Sequence, residues 1–297
     1  MANVVIQNLP NHGDFAGTDY IILQDKDNIA TGKGTLDNLM QFIEMQRDAG
    51  NAGFHNAIYR GKNLGNHVTD EQWAEIQAGT FKGMYIGDYW VINGVTWRIA
   101  AFDCWLCFGD TECTTHHIVI VPDQNLLNAD GSTTHYMNTS NVTTGAYVGS
   151  GFYSGTNADN TSNTAKASCR SKIQSAFGAG HILTHREHLQ NAVTDGHASG
   201  GSWYDSDLEL MNEIMVYGCE IFTPMNDGQT IPNLYQIDNS QLPLFALNHK
   251  HICNRAYWWL RDVVSSTGFA HVYGSGNSHC TYASHPWVGV RPAFAIC

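Results

Sequence analysis

The stretch from Asn254 to Cys297, NRAYWWLRDVVSSTGFAHVYGSGNSHCTYASHPWVGVRPAFAIC, decides the fold, because two apolar ends enclose a middle of small and aromatic residues. Trp258–Asp262 is bulky and predicts a buried strand. Val288–Ile296 alternates apolar with small or polar residues, as a half-buried strand does. In the Trp258–Trp259 pair we expect one ring in the core and one half-exposed.

The middle, residues 263–288, contains no Lys, Arg, Asp, Glu, Gln, Met, Leu or Ile. Tyr and His offer wide contact area at low entropic cost, while Ser, Gly and Asn offer adaptable hydrogen bonds, as in antibody paratopes. The composition fits a binding loop and, equally, a Gly/Ser-rich surface loop that carries aromatic residues. The candidate ligand-binding residues, all expected to be exposed, are His271, Tyr273, Ser275, Asn277, His279, Tyr282, Ser284 and His285.

The composition of the whole chain limits the function classes. Of its 297 residues, 43% are apolar and only 14% are charged, well below the usual quarter. The formal net charge of -12 argues against nucleic-acid binding, which needs a basic face. No apolar run is long enough to cross a bilayer, and MANVVIQNLP lacks the features of a secretory signal, so we expect no membrane insertion. We expect the 8 cysteines to be mostly free thiols.

The first unit of the chain, Val4–Met40, predicts a strand over Tyr20–Asp25 and a turn over Thr31–Gly34. Thr35 is a candidate N-cap for a helix with an apolar stripe. So small a unit buries little by itself, and the stripe therefore needs a partner, either another copy or the rest of the chain. Asp48–Asn56, rich in Gly, Ala and Asn, predicts a hinge and a domain boundary.

The next block, residues 57–123, carries two strong local signals. Thr69 with Gln72 three residues later predicts a capping box at the start of a short helix whose Trp73 and Ile76 face inward. Asn93-Gly94 between two apolar runs predicts a β-hairpin. The Asn/Thr/Ser/Gly-rich segment 124–165 predicts an exposed insertion.

The remaining segments predict a mixture of helices and strands. Helices are expected over Lys166–Gly178, His185–Val193 and Asp205–Tyr217, the last with an apolar stripe and a stop at Gly218. Strands and turns are expected over Ile221–Asn254. The fold class is therefore α+β.

Two clusters have the residue types of metal sites. One is Cys104-x-x-Cys107 followed by Cys113, His116 and His117, which contains a single CxxC and irregular spacing; unligated thiols fit it better. The other is the His185–His188 pair, at i, i+3 spacing if helical, which fits a polar helix start better than a ligand pair. No nucleophile elbow, P-loop or dinucleotide motif is present. We therefore predict no catalytic residue, no metal, no cofactor and no enzyme activity.

The motif IGDYW-x-ING-x-x-WRI, then HHIVIVPD, and finally WWLRD with GVRPAFAI, resembles the C-type-lectin-like domains of phage and prophage proteins, which include the retroelement-diversified variable proteins. The resemblance implies a C-type-lectin-like domain over residues 55–297, with both chain ends in one sheet. It also implies that adenine-directed mutagenesis of AAY codons varies certain middle positions among residues such as Asn, Ser, Thr, Tyr, His, Cys, Asp, Gly, Ala and Phe. The residues of the middle fit this set, apart from the scaffold-like Trp287. The calcium motifs of animal lectins and the cysteine context of formylglycine-generating enzymes are missing.

The first unit, with VVIQNLP, TDYIILQD and TGKGTLDNL, resembles the N-terminal module of phage tail-fibre proteins. This implies that residues 1–50 attach the chain to other virion proteins and form a homotrimer. The expected function is that of a phage virion receptor-binding adhesin, made in the host bacterial cytoplasm and carried on the tail or capsid surface. Its partner would be a host-cell surface receptor, protein or glycan. The alternatives are a capsid decoration or head-fibre protein, and a glycan hydrolase, which clustered carboxylates in a pocket would favour.

Overall fold

The computed structural model describes residues 20–24, 31–35, 52–127, 136–138, 140–143, 165–189, 192–194, 197–199, 202–223 and 240–297. For residues 20–24, 31–35, 189, 192–194, 197–199 and 202 it describes the backbone alone. The chain divides into two units, Met1–Ala49 and Gly50–Cys297. The fold is mixed α+β, with helices and several separate sheets.

The described strands are β1 (Tyr20–Gln24), β2 (Thr31–Thr35), β3 (Asn63–Gly65), β4 (Tyr89–Ile92), β5 (Val95–Phe102), β6 (Ile118–Pro122), β7 (His185–Leu189), β8 (Ala192–Thr194), β9 (His197–Ser199), β10 (Ser202–Ser206), β11 (Leu208–Leu210), β12 (Trp258–Ser265), β13 (Gly268–Val272), β14 (Ser278–Tyr282) and β15 (Pro292–Ile296). The described α-helices are α1 (Ala52–Asn56), α2 (Asp70–Gln77), α3 (Ala165–Phe177), α4 (Glu213–Tyr217) and α5 (Pro243–Leu247), and two 3-10 turns cover Ala179–His181 and His249–His251.

In the first unit, β1 and β2 form an antiparallel pair running from Tyr20↔Thr35 to Gln24↔Thr31. The predicted strand at residue 20 is confirmed, but the predicted turn over 31–34 is wrong. Pairing with the apolar β1 outweighs the turn preference of the two glycines in β2, because strand formation depends on the neighbouring strand more than on local propensity. The helix predicted after Thr35 lies outside the described residues.

The second unit is built on a six-stranded sheet in the order β11-β15-β6-β5-β4-β3. The β4–β5 hairpin is confirmed, and its turn residues Asn93 and Gly94 both have positive φ, 52° and 75°, as a type I′ turn requires. The C-terminal strand β15 lies between β6 and β11, antiparallel to both. All five residues of β6 and of β15 are buried, so the end of the chain is part of the core.

Helix α2 begins with the predicted capping box. The Gln72 N–H donates to Thr69 Oγ1 at 3.2 Å, and the Thr69 N–H donates to Gln72 Oε1 at 3.1 Å. Gln72 Oε1 also accepts a hydrogen bond from Trp90 Nε1 at 3.1 Å, which ties the helix to β4. Ile76 is fully buried and Trp73 packs against the core, as the inward stripe predicted.

Aromatic side chains from several elements fill the core. Trp97 meets Phe294 edge to face, with ring centroids 5.6 Å apart, and Phe177 packs against both. Trp258 and Trp259 are both fully buried, so the prediction of one half-exposed ring is wrong. A strand whose two faces are both covered buries successive side chains alike, and alternation cannot reveal this.

Several predicted helices are strands or are shorter than expected. Residues 185–189 form β7, paired antiparallel with β10, and the helix predicted over 185–193 is wrong. The apolar stripe predicted over 205–217 belongs partly to β11 and partly to α4. In both places pairing with a distant strand overrides a local helical pattern. The predicted stops are confirmed, because Gly178 and Gly218 have φ of 84° and 80°.

Three further segments differ from expectation. Residues 52–56 form α1 instead of a hinge. Residues 243–247, in a region expected to hold strands and turns, form α5, with Pro243 at its first turn. The segment 124–165 is not wholly exposed, since Leu126, Leu127 and Met137 are buried in the core.

Gly289 joins β12 to the rest of the core through the main chain. Its N–H donates to Tyr257 O at 2.9 Å, and its carbonyl accepts from the Trp259 N–H at 3.0 Å. A Cβ at this position would lie 2.2 Å from Asn125 Nδ2, so only glycine permits the approach. Nearby, the fully buried Arg291 donates to Pro122 O at 2.6 Å and to His251 O at 2.8 Å.

Candidate binding surface

The middle of the C-terminal stretch folds into a separate three-stranded antiparallel sheet, in the order β12-β13-β14. Strand β13 is the central strand and is buried throughout, whereas β14 alternates between half-buried and exposed residues. The β13–β14 turn is closed by the Tyr273 N–H donating to Asn277 O at 2.7 Å, with Gly276 at φ 92°. The sheet therefore presents β14 and the turn, while β13 supports them.

The structure divides the eight predicted binding residues into three groups. Tyr273, Ser275, Asn277, His279 and Tyr282 are exposed, as predicted. Ser284 and His285 are half-buried, and each is hydrogen-bonded, Ser284 to Asn141 Oδ1 and His285 to Thr281 Oγ1. His271 is only 1% exposed, and the prediction that it is an exposed contact residue is wrong.

His271 is buried because it lies on the central strand, beneath other rings. Its ring centroid is 6.0 Å from that of Trp259, 6.2 Å from that of Trp287 and 5.3 Å from that of His279. Neither ring nitrogen has a hydrogen-bond partner. Burial, together with the nearby His279 and His285, lowers the pKa of His271 to about 4, so the ring is neutral at physiological pH. It supports the surface without contacting solvent.

Five aromatic side chains form a continuous series across this surface, which we call the aromatic row. Its neighbouring ring centroids are 4.6 Å (Tyr273 to Tyr257), 5.4 Å (Tyr257 to Trp287), 5.1 Å (Trp287 to His285) and 5.5 Å (His285 to Tyr282) apart. Tyr273, Trp287 and Tyr282 are 42%, 43% and 52% exposed. Large apolar groups exposed together in this way are typical of contact surfaces.

Two members of the aromatic row were not among the predicted contact residues. Trp287 was expected to be scaffold but is an exposed ring. Tyr257, just before the buried Trp258, was not singled out, and no local pattern marks it. The hydrogen bond between the Tyr257 and Tyr273 hydroxyls raises the pKa of Tyr257, as expected when the Tyr257 O–H donates. The sequence feature that points to Trp287 as a contact residue is its size, since it is the largest side chain in a segment of mostly small residues.

Hydrogen bonds from below hold the turn and β14 in place. Tyr217 Oη donates to Gly276 O at 2.9 Å, and Cys253 Sγ donates to Gly274 O at 3.3 Å. The fully buried carboxylate of Glu213 accepts the Ser278 hydroxyl. The Tyr217 and Cys253 contacts fix the backbone of the turn, and the Glu213 contact fixes the Ser278 side chain of β14.

Glu213 also fixes a neighbouring segment. Its Oε2 accepts the backbone N–H groups of Ile221, Phe222 and Thr223, each at 2.9 Å. Ile221 and Phe222 are 49% and 40% exposed, and the Phe222 ring lies 5.9 Å from that of His279. One buried carboxylate therefore sets the position of β14 and of two exposed apolar side chains beside it.

The surface carries no formal charge of its own. Residues 263–288 contain no Asp, Glu, Lys or Arg, and His is their one ionisable type near neutral pH. A surface of this kind binds by contact area and neutral hydrogen bonds, with little dependence on salt. No pair of carboxylates lies among these residues.

The Cys/His cluster does not assemble a metal site. His117 is satisfied as a neutral ring, since Nδ1 donates to Thr115 O at 2.8 Å and Nε2 accepts the Trp105 N–H at 3.0 Å. His116 Nδ1 contacts Asp103 Oδ2 at 2.8 Å. Burial raises the pKa of the Cys104 thiol to about 12. Within the described ranges, no group of three or more His, Cys, Asp or Glu side chains could hold a metal ion.

The residues around His185 make a structural ion pair. Glu187, 1% exposed, accepts from Arg261 Nη1 at 2.5 Å and lies 3.4 Å from His185 Nε2. Arg261, followed by His185, lowers the pKa of Glu187 against the opposing effect of burial. This pair joins β7 to β12, and the i, i+3 helical spacing of His185 and His188 does not exist in the strand.

No helix in the part of the chain that the structure describes combines the length and the apolar character needed to cross a membrane. Comparison of the chain with protein-family models, curated proteins and solved structures finds no match.

Proposed function

We propose that the protein is a phage virion receptor-binding adhesin, in which a C-type-lectin-like domain presents the aromatic row and β14 to a ligand on the host-cell surface. The observation that carries the proposal is the aromatic row itself. Exposed Tyr and Trp rings supply large contact area at low entropic cost, and such residues dominate binding energy at protein surfaces. The surface is uncharged and its backbone is fixed from below, which reduces the ordering cost of binding.

The C-type-lectin-like assignment is supported by the arrangement of the chain. The C-terminal strand β15 lies in the same sheet as the β4–β5 hairpin. The long segment between β6 and β15 contributes the three-stranded sheet, which carries the surface. In the proposal, residues 1–50 attach the chain to the virion and form a homotrimer. Three copies of a weak site add avidity without new contacts.

The test is binding of the fluorescently labelled full chain to a panel of bacterial isolates, scored by flow cytometry. Trp287→Ala removes a 43% exposed ring from the aromatic row, and Leu247→Ala removes a 43% exposed apolar side chain from α5. We expect Trp287→Ala to weaken binding at least about tenfold, as loss of a hot-spot aromatic does, and Leu247→Ala to bind like the wild type. If no isolate binds the wild-type chain, or if both variants bind equally, the proposal is wrong.

A further inference from the structure

A groove continues the aromatic row at its Tyr282 end. It has a volume of about 280 Å3 and is formed where the end of β12 and the following turn approach the end of β14. Ligand pockets for drug-sized molecules span roughly 300–1,000 Å3, so this groove holds a group about the size of one ring. Side chains from both strands and the turn line it, namely Val264, Ser265, Thr267, Cys280, Thr281, Tyr282 and His285.

The polar part of the lining consists of hydroxyl groups and one imidazole. Ser265 Oγ and Thr267 Oγ1 are 3.2 Å apart, and Thr281 Oγ1 is hydrogen-bonded to His285 Nδ1. Each hydroxyl has one donor and two acceptor positions, so both pairs keep hydrogen-bonding capacity for a ligand. Neutral donors and acceptors spaced around one small space match a ligand that carries several hydroxyl groups on a ring.

The apolar part of the lining is dominated by one exposed ring. Tyr282 is 52% exposed and stands almost perpendicular to His285, at 87°. Val264 adds an aliphatic contact. An aromatic ring with an open face offers a flat surface to the C–H face of a sugar ring, while hydroxyl groups at the edge of the groove meet the sugar hydroxyls.

The groove contains no charged side chain, which narrows the ligand class. No Asp, Glu, Lys or Arg lines it. Carboxylate ligands for Ca²⁺ are therefore missing, and so is a cation that would pair with an acidic sugar or a phosphate. Burial, with Glu213 nearby, raises the pKa of the Cys280 thiol at the groove, which keeps this side chain neutral as well.

We propose that this groove binds a single neutral sugar ring, without calcium, as the terminal residue of a glycan on the host-cell surface. The inference rests on the proposed function and names its ligand class. The sugar ring lies against Tyr282 and exchanges hydrogen bonds with Ser265, Thr267 and Thr281, while the remainder of the aromatic row contacts the adjoining part of the glycan.

The direct test uses saturation-transfer NMR on the full chain in EDTA, with D-glucose, D-galactose, D-mannose and N-acetyl-D-glucosamine as probes and N-acetylneuraminic acid as the charged comparison. At least one neutral sugar should receive saturation. Tyr282→Ala should abolish the transfer, Thr281→Val should weaken Kd about tenfold through one lost hydrogen bond, and Leu247→Ala should change neither. Circular dichroism confirms that each variant is folded. Transfer to none of the neutral sugars, or transfer unchanged in both groove variants, overturns the proposal.

A second experiment separates this inference from the proposed function. An isolate that binds the labelled wild-type chain is treated with periodate, which cleaves sugar diols, or with protease. Loss of binding after periodate, with or without protease sensitivity, supports a sugar ligand. Binding that survives periodate but not protease overturns the sugar groove and leaves the receptor-binding function standing. If no isolate binds at all, the function itself fails.

Discussion

The six-stranded sheet and strands β13 and β14 of the three-stranded sheet differ in the charged side chains that they carry. Around the six-stranded sheet, charged side chains are paired and fixed: the fully buried Asp88 accepts from Arg60, from the Lys62 N–H and from the Tyr85 N–H, and Arg98 pairs with Asp123 through both carboxylate oxygens. In the three-stranded sheet, β12 carries Arg261, paired with Glu187, but residues 263–288, which include β13 and β14, contain no Asp, Glu, Lys or Arg. Buried charges fix the geometry of both sheets, whereas the contact area beyond β12 is provided by neutral rings.

The largest expected difference between the two sheets is in the response to losing one aromatic ring. Phe294→Ala removes a fully buried ring of β15 that contacts Trp97 and Phe177. We expect the free energy of unfolding to fall by about 3–5 kcal/mol, because a cavity remains in a packed core. The matched variant Trp287→Ala, at an exposed ring, should lose less than about 1 kcal/mol. Urea denaturation measures the free energy of unfolding of both variants, provided that their m-values equal that of the wild type. Equal losses in the two variants would show that the ring of Trp287 supports the fold as much as the ring of Phe294 does.

The next prediction concerns the carboxylate that supports the three-stranded sheet. Glu213→Gln removes the negative charge and puts an NH2 group at one of the two oxygen positions, so that either the backbone N–H donors or the Ser278 hydroxyl loses its acceptor. We expect a loss of about 2–4 kcal/mol in the free energy of unfolding. Glu71→Gln, at the exposed first turn of α2, is the control and should lower the urea midpoint much less than Glu213→Gln does, because it removes only an exposed charge near the helix N-terminus. A Glu213→Gln midpoint equal to that of the wild type would show that this contact does not hold the sheet.

The smallest effect is a pH dependence assigned to His271. Its pKa is lowered to about 4 in the folded chain, so the unfolded chain binds an extra proton between the ordinary histidine pKa of about 6.5 and pH 4. Stability should therefore fall as pH decreases through this window, by at most about 1.4 kcal/mol per pH unit from this group. His271→Phe removes the proton site and the two unpaired nitrogens while keeping a ring.

Urea denaturation at pH 7 and at pH 5 gives the test. The wild type should lose more stability between the two values than His271→Phe does. His117 shares one property with His271 and differs in another. Burial lowers the pKa of His117 to about 4 as well, but both of its ring nitrogens are hydrogen-bonded, whereas those of His271 are not. An identical pH slope in the wild type and in His271→Phe would mean that His271 is solvated in solution.

Local signals in the sequence predicted the parts of the fold that depend on neighbouring residues alone. The Thr69–Gln72 capping box, the Asn93-Gly94 turn and the stop at Gly178 each involve a few consecutive residues with a specific hydrogen bond or a positive φ. Such features are determined before any distant strand is placed.

The errors lie where distant pairing decides the outcome. His185–Leu189 has a helical pattern, but its pairing with β10 and the contact of Glu187 with Arg261 place it in a strand. Leu208, predicted to lie in a helix, pairs in a strand with Phe294 of β15, which is far away in the sequence. These interactions override weak local preferences.

The candidate surface was predictable in composition but not in geometry. The exposed positions of Tyr273 and Tyr282 follow from a segment that is rich in Tyr and small residues. The burial of His271 does not, because it depends on Trp287 lying over the central strand. The place of Tyr257 in the aromatic row likewise requires that the start of β12 be brought beside the β13–β14 turn.

The bonds at Gly289 have a consequence for how this gene can change over time. They join main-chain atoms of residues 257, 259 and 289, and the β13–β14 turn is likewise closed by the backbone of Tyr273 and Asn277. None of these bonds depends on which side chain an exposed position carries. A gained or lost codon would shift Gly289 out of a space that admits only glycine. A substitution at an exposed position of this segment therefore leaves these bonds intact, whereas an insertion or deletion breaks them.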